Sequence, residues 1–322
     1  RNLGLYESAI PLLEKALQIR QEKLGSVHLE VADTLNNLAS ALQDKGNYSA
    51  AELLFREALA IRRRLLGTEH VVVSESLNNL ALVLHYQGNY TAAEPLFRDT
   101  LAMRRKLLGN ENTAVATSLN NLALLLYVKG EYAAAEPVYR EALALNRKLL
   151  GEEHPEVARV LSNLGVLLYE KGDLMAAEPV LRQSLQIRRK LFPTAHPDLS
   201  YSLYWLGLLL TDEGKAEEAE PLLSEAVNIR RQSLAKEHWL TADAESVWGE
   251  CLAALGQHSE AEPLLLNSYP LIKAKRGEQD KRTQRALSRI INLYQAWGKP
   301  SKLAEYSALL SKPTVASPPG KK

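Results

Sequence analysis

Apolar positions along the chain recur at steps of three and four residues rather than two. Val115, Leu119, Leu122, Ala123 and Leu126 form one such stripe, the core-facing side of an amphipathic helix. Ala93, Leu96, Phe97, Leu101, Met103 and Leu108 form another, which predicts a helix of about five turns. Basic residues Arg104, Arg105 and Lys106 close this second stripe and Gly109 follows it; cations suit the negative end of a helix dipole, and glycine is the usual C-cap. Each pair of stripes is a helical hairpin, and the hairpin repeats. Gly4, Gly46, Gly88, Gly130, Gly172, Gly214, Gly256 and Gly298 follow one another at a constant interval of 42 residues. A period in this range marks an array whose units bury their apolar faces against their neighbours, which places function on a long surface rather than in a pocket.

Small residues predict how closely the two helices of a hairpin approach. Ala51, Ala93, Ala135, Ala177, Ala219 and Ala261 follow their glycines by a constant offset, and Ala39, Ala81 and Ala123 become Gly165, Gly207 and Gly249 in the other helix, so a bulky residue there is expected to pry the hairpin open. Pro95, Pro137, Pro179, Pro221 and Pro263 stand early in the longer helix. They predict a late helix start or a slight kink, since proline is best tolerated in the first turn.

Leu77, Leu80, Ala81 and Leu84, followed by Gly88, Tyr90, Ala93 and Phe97, have the spacing of the tetratricopeptide signature, W-x2-L-G-x2-Y then A-x3-F. The period alone would also suit HEAT or armadillo repeats, but the Gly-x-Tyr-x2-Ala spacing selects the tetratricopeptide reading. Phrases such as Leu-Asn-Asn-Leu-Ala, Ala-Glu-Pro-Leu and Ile-Arg-Arg-x-Leu resemble the 42-residue repeats of the kinesin light chain type and their bacterial relatives. The resemblance implies an all-α fold, a right-handed α-solenoid of stacked hairpins. The expected organisation is one array over 1–311: a half repeat at 1–28, six hairpins over about 29–276 and a degenerate capping repeat over about 280–311, with 312–322 a disordered tail. In the capping repeat Lys281, Arg282, Arg285 and Arg289 interrupt the apolar pattern and suggest a polar end face. No such cap precedes the first helix, about Tyr6 to Lys23, so its apolar side is expected to be exposed. The chain opens without Met in mid-repeat, which suggests an upstream domain of the same polypeptide.

Composition narrows the function classes. Lys and Arg total 39 against 38 Asp and Glu, a balance that argues against nucleic acid or an acidic membrane as the main partner. One cysteine, Cys251, among 322 residues fits a reducing compartment, so a cytoplasmic setting is expected. No apolar run reaches the roughly 18 to 20 residues of a membrane span. Phosphate-loop, nucleophile-elbow and zinc-protease motifs are absent from the sequence, so neither catalysis nor a cofactor is expected. His28, His70, His154, His196 and His238 share one repeat position just before the shorter helix. Copies about 10 Å apart cannot converge on one metal ion, whose ligands lie at about 2 Å; capping is expected instead. The clusters Arg62 to Arg64, Arg104 to Lys106, Arg147-Lys148, Arg188 to Lys190 and Arg230-Arg231 are read as a ridge serving helix-end electrostatics and pairing with Glu94 and its equivalents.

The candidate binding residues lie opposite the core stripe of the shorter helix. They are Asn36 with Asn37, Asn78 with Asn79, Asn120 with Asn121, then Asn163, with Leu82, Leu124, Val166 and Leu208 one turn on. By resemblance to tetratricopeptide proteins this face lines the concave groove, and Asn37, Asn79, Asn121 and Asn163 match the position that clamps a bound peptide's backbone. A carboxamide can donate to and accept from any peptide unit, and four of them about 10 Å apart would span about nine extended residues. Asparagine is a mediocre helix former, so its recurrence needs a reason; the alternative is a bond to an adjacent helix. Tyr86, Tyr127, Tyr169, Tyr201, Tyr204 and Trp205 are candidate anchors for partner side chains or fillers where the asparagine pattern ends; Trp248 falls in a core phase. The expected function is a protein–protein interaction scaffold that holds an extended peptide or partner helix. The alternative is the regulatory or sensor arm of a larger signalling protein, a kinase or nucleotide-dependent regulator whose catalytic part lies upstream; Gln284 to Leu287 and Tyr294 to Pro300 resemble the closing repeat of bacterial kinase-linked arrays.

Overall fold

The computed structural model describes residues 3–192 and 196–310, with side chains from residue 9 onward. Among the described residues the chain is fifteen helices without a strand. Contacts divide it into two compact units, Arg1–Gly172 and Asp173–Lys322. The first unit holds α1 (Leu3–Leu24), α2 (Leu29–Asp44), α3 (Tyr48–Leu66), α4 (Val71–Tyr86), α5 (Tyr90–Leu108), α6 (Thr113–Val128), α7 (Tyr132–Leu150) and α8 (Pro155–Glu170). The second holds α9 (Leu174–Leu191), α10 (Pro197–Asp212), α11 (Ala216–Ser233), α12 (Trp239–Ala254), α13 (His258–Arg276), α14 (Lys281–Trp297) and α15 (Pro300–Leu310). The expected tail, 312–322, lies outside the described residues.

Helix starts follow from the residues in front of them. His28, His70, His154, His196 and His238 are extended N-caps of the 16-residue helices. Each Nδ1 accepts the backbone N–H two residues on, at 3.1 to 3.2 Å, so each ring carries its proton on Nε2. At the same repeat position before α6, Asn112 does this with Oδ1, at 2.8 Å. The expected capping role of the histidines is therefore met. The longer helices α3, α5 and α9 start behind Asn47, Asn89 and Asp173, whose side-chain oxygens accept from Ala50, Ala92 and Ala176. Between α4 and α5 the chain turns at Gly88, φ +79°. There Asn89 N–H reaches Leu84 O and Gly88 N–H reaches His85 O, both at 2.9 Å, satisfying carbonyls that the helix end leaves open.

The prolines do not delay the helices. α5 begins at Tyr90 and carries Pro95 inside it, because Asn89 already fixes the first turn; the proline's missing N–H is absorbed one turn further in. The close approach of paired helices is met as expected. Ala51, Ala93, Ala135, Ala177, Ala219 and Ala261 are fully buried. A Cβ on Gly207 would stand 2.6 Å from Leu223 Cγ, and one on Gly249 2.7 Å from Leu265 Cγ. In the first unit the same positions are Ala39, Ala81 and Ala123, with Phe55, Phe97 and Tyr139 where the second unit has Leu223 and Leu265, all buried. Sealing each such large side chain stabilises the hairpin by roughly 2 kcal/mol.

The two ends differ. On α1, Leu12 is 69% and Ile19 42% exposed, the apolar surface expected of that helix. On α14, Lys281 and Arg285 face solvent, but Arg289 is buried and its Nε donates to Glu250 at 2.6 Å, while Arg282 pairs with buried Asp243. Two of the four charges read as a polar end face thus turn inward, because α12 supplies carboxylates to meet them.

Candidate functional site

The asparagines of the first unit form a bonded ladder. Asn79 Nδ2 donates to Asn36 Oδ1 at 2.9 Å, Asn121 Nδ2 to Asn78 Oδ1 at 3.0 Å, and Asn163 Nδ2 to Asn120 Oδ1 at 3.0 Å. The second asparagine of one repeat thus reaches the first asparagine of the repeat before it, tying α2 to α4, α4 to α6 and α6 to α8. Each such bond contributes about 1 kcal/mol net, which supplies a structural reason for a weak helix former at these positions. Asn79 and Asn163 remain half-buried and Asn37 exposed, whereas Asn121 is 9% exposed. No carboxamide atom of the ladder is both sealed from solvent and unbonded. The solvent-facing carboxamides are those of Asn37, exposed, and of Asn36, Asn79 and Asn163, half-buried, whereas Asn120 and Asn121 are buried and Asn120 Nδ2 also donates to Asn121 Oδ1 at 3.4 Å.

The apolar and aromatic candidates separate into two groups. Leu82 and Leu124 are half-buried beside the ladder. Tyr86 is 49% exposed and stacks on Tyr48, with centroids 5.7 Å apart, and Tyr127 stacks on Tyr132 at 5.6 Å. In contrast Val166, Tyr169, Tyr204, Trp205 and Leu208 are all buried. The expectation that Tyr204 and Trp205 present their surfaces to a partner is corrected by their packing: Tyr204 Oη donates to Asp243 Oδ2 at 2.8 Å, and its ring lies 4.5 Å beneath the Arg230 guanidinium. Trp205 stands edge-on to Tyr204 at 5.3 Å. Tyr201 is half-buried, with Arg188 at 5.7 Å from its ring centroid. Trp248 donates Nε1 to Glu220 at 3.2 Å while packing against the core, in keeping with its phase.

The basic clusters are not one exposed ridge. Their leading residues Arg62, Arg104, Arg188 and Arg230 are buried, at 5 to 6% exposure. Arg62 Nη1 reaches Ser76 at 2.7 Å, Arg104 Nη1 reaches Ser118 at 2.9 Å, and Arg188 Nη1 reaches Ser202 at 2.9 Å; Arg20 does the same to Thr34 at 2.6 Å. Each guanidinium crosses from the longer helix of one hairpin to the shorter helix of the next. The missed signal was an arginine recurring every 42 residues with Ser or Thr 14 positions after it. Asn146 replaces it between α7 and α8; it is 3% exposed and its Nδ2 has no partner.

Pairing of the clusters with Glu94 and its equivalents is likewise corrected. Glu94 binds Arg98 and Lys129, Glu136 binds Arg140 and Lys171, and Glu178 binds Arg182 and Lys215, because the clusters lie a further turn or more along the helix. Hydrogen bonds from Lys129 and then Arg98 hold the Glu94 carboxyl below its ordinary range. The outer cluster residues find other acids, as Arg105 does in Glu141 and Lys106 in Glu69. Cys251 is buried, its thiol donates to Ala216 O, and burial pushes its pKa up to about 11, which disfavours the reactive thiolate form. No described helix is long and apolar enough to cross a membrane.

Tetratricopeptide repeat family models match residues 1–64, 31–106, 114–190 and 198–274, and a second such model matches 78–149. The chain belongs to the tetratricopeptide repeat family. BtubC (BKLC) from P. vanneervenii is similar at 27% identity and TM-score 0.59, over 72% of this chain and 92% of that one. A putative kinesin light chain of Podosopora anserina with nearly identical TPR-like repeats shares the fold at 24% identity and TM-score 0.54, over 65% and 99%. The apo quorum sensor NprR from B. thuringiensis shares it at 14% identity and TM-score 0.67, over 95% and 82%. No curated protein matches. The chain has the tetratricopeptide scaffold fold, and its 42-residue repeats are similar to those of kinesin light chain-like proteins.

Proposed function

We propose that the chain is a non-enzymatic scaffold, a single array over about 1–311 working in the cytoplasm, whose asparagine face in the first unit holds an extended peptide or a partner helix. The observation that carries this reading is the ladder itself: three bonded pairs of carboxamides on adjacent helices, pre-oriented by their mutual bonds, with Asn37, Asn79 and Asn163 reaching the solvent side. Pre-orientation lowers the side-chain entropy lost on binding, and each carboxamide can serve a peptide unit of any sequence. Leu82, Leu124 and the exposed Tyr86 supply apolar contact beside it. Asn37 extends the row at one end, where its side chain is exposed.

The test is a peptide-library screen on the full chain, repeated with Asn37→Ala and with Asn79→Ala/Asn121→Ala. Asn37→Ala is expected to weaken the selected peptides several-fold with an unchanged melting temperature, since the Asn37 side chain is exposed. The double variant is expected to weaken them at least tenfold while keeping its helicity. Full binding by both variants would remove the ladder from recognition.

A further inference from the structure

On each shorter helix of the first unit, the ladder asparagine has one neighbour a full turn before it and another just under a turn after it, on the same side of the helix. The earlier neighbours are Asp33, Glu75, Thr117 and Arg159, and the later ones Ser40, Leu82, Leu124 and Val166. The row Asn37, Asn79, Asn121 and Asn163 is therefore flanked by a polar row on one side and, from α4 onward, by an apolar row on the other. Leu82 and Leu124 are half-buried and Val166 is buried, so the accessible part of the apolar row lies on α4 and α6.

The charges of the polar row differ in what they meet. Asp33 binds Arg62 at 2.6 Å, and Arg159 binds Glu156. Glu75 holds the repeat position of Asp33, and Arg104 that of Arg62, yet this second pair does not form. Ser74 stands where the preceding repeat has Ala32, and with Ser118 and Ala114 O it takes the N–H groups of Arg104. Arg104 is thus supplied from its own surroundings, and Glu75 acts on it through its field alone. The Glu75 side chain is exposed, and among the described residues its carboxylate has no ion pair.

We propose, resting on the asparagine-face reading above, that the occupant is an extended peptide in which a lysine or arginine meets Glu75 and the residues on either side of it are apolar. Successive side chains of an extended strand point to opposite sides. A strand lying along the asparagine row therefore sends one side chain to the polar row and the next to the apolar row. Over α4 the polar row offers an uncommitted carboxylate, which selects a cation. Its two neighbours, about 3.3 Å before and after it, fall on the side of Leu82 and Leu124, where a charged residue would lose water without gaining a partner. A helical partner would not show this two-residue alternation.

The experiment measures binding of the full chain to four blocked, fluorescently labelled peptides of about nine residues, the length the row accommodates. All carry Ser-Thr-Ser at both ends, and their centres are Leu-Lys-Leu, Leu-Gln-Leu, Leu-Glu-Leu and Ser-Lys-Ser. Leu-Lys-Leu is expected to bind about fivefold tighter than Leu-Gln-Leu and about tenfold tighter than Leu-Glu-Leu, a preference that shrinks as salt is raised. It should also bind at least fivefold tighter than Ser-Lys-Ser. Glu75→Gln should make Leu-Lys-Leu and Leu-Gln-Leu equal without weakening the latter, and Glu75→Lys should reverse the order of Lys and Glu, both at the parent's melting temperature because the side chain is exposed. Asn79→Ala/Asn121→Ala should weaken all four peptides and keep the Lys preference. No binding of the four, no Lys preference in the parent chain, or a preference that survives in Glu75→Gln would each overturn the proposal. If the preference vanishes in Glu75→Gln but the asparagine variant binds as the parent does, the fault lies with the ladder and not with Glu75.

Discussion

The same two repeat positions are asparagine pairs in the first unit and Tyr204 with Trp205 in the second. In the first, the asparagines of one repeat bond to those of the repeat before it. In the second, the rings fold into a block among arginines, and Tyr204 gives its hydroxyl to Asp243. A repeat fold requires that its small core residues fit; its face positions are free to vary. One backbone plan therefore carries a neutral hydrogen-bonded ladder in one region and a buried ionic-aromatic block in the other.

The sharpest way to break this comparison is to delete equivalent arginines. Arg104→Met leaves Ser74, Ser118 and Ala114 O without their donor and is expected to cost about 3 kcal/mol, whereas Arg230→Met loses one bond and is expected to cost about 1 kcal/mol. Urea denaturation of the two variants measures the difference, and equal losses would show that the partners of Arg104 contribute nothing. Next in size is Gly207→Ala. Its new Cβ would meet Leu223 Cγ at 2.6 Å, for an expected loss of about 2 kcal/mol; Ala81→Gly in the first unit, which opens space instead, is expected to lose about 1 kcal/mol through backbone entropy.

The smallest effect follows acidification. Burial first, then Lys275 and Arg230, lower the pKa of His238 from 6.5, and burial lowers that of His85. The folded chain thus binds fewer protons than the unfolded one between the two values, so this stability is fully present above about pH 6.5 and is lost as pH falls through the folded pKa. His238→Asn copies Asn112, which caps α6 without titrating. It is expected to keep the cap, worth about 1 kcal/mol, and to flatten the decline in melting temperature between pH 7 and 5. An unchanged slope would assign the pH dependence elsewhere.

Helices, hairpins, caps and glycine turns were legible because each rests on local chemistry: the stripe around Leu119, the imidazole at His70, the turn at Gly88. The ladder residues were legible as positions but not as partners. A bond between Asn121 and Asn78 depends on how far one repeat advances over the next, which no single repeat encodes. The buried arginines were misread for a related reason. Arg104 sits among Arg105 and Lys106 and looks like part of a solvated helix end; only the serine of the next hairpin shows that it points inward. Tyr204 was assigned to the surface by its phase, whereas Asp243, on the following shorter helix, draws it under cover.

Because each guanidinium stitches one hairpin to its successor, the hairpins cannot open independently: loosening one strips donors from the acceptors of the next. The seam at Asn146 lacks its stitch, with Val160 in place of the hydroxyl and a buried amide left idle. Under native conditions the amides flanking that seam, in α7 and α8, should exchange with deuterium sooner than those of α3 and α4, making it a fault line along which the first unit yields.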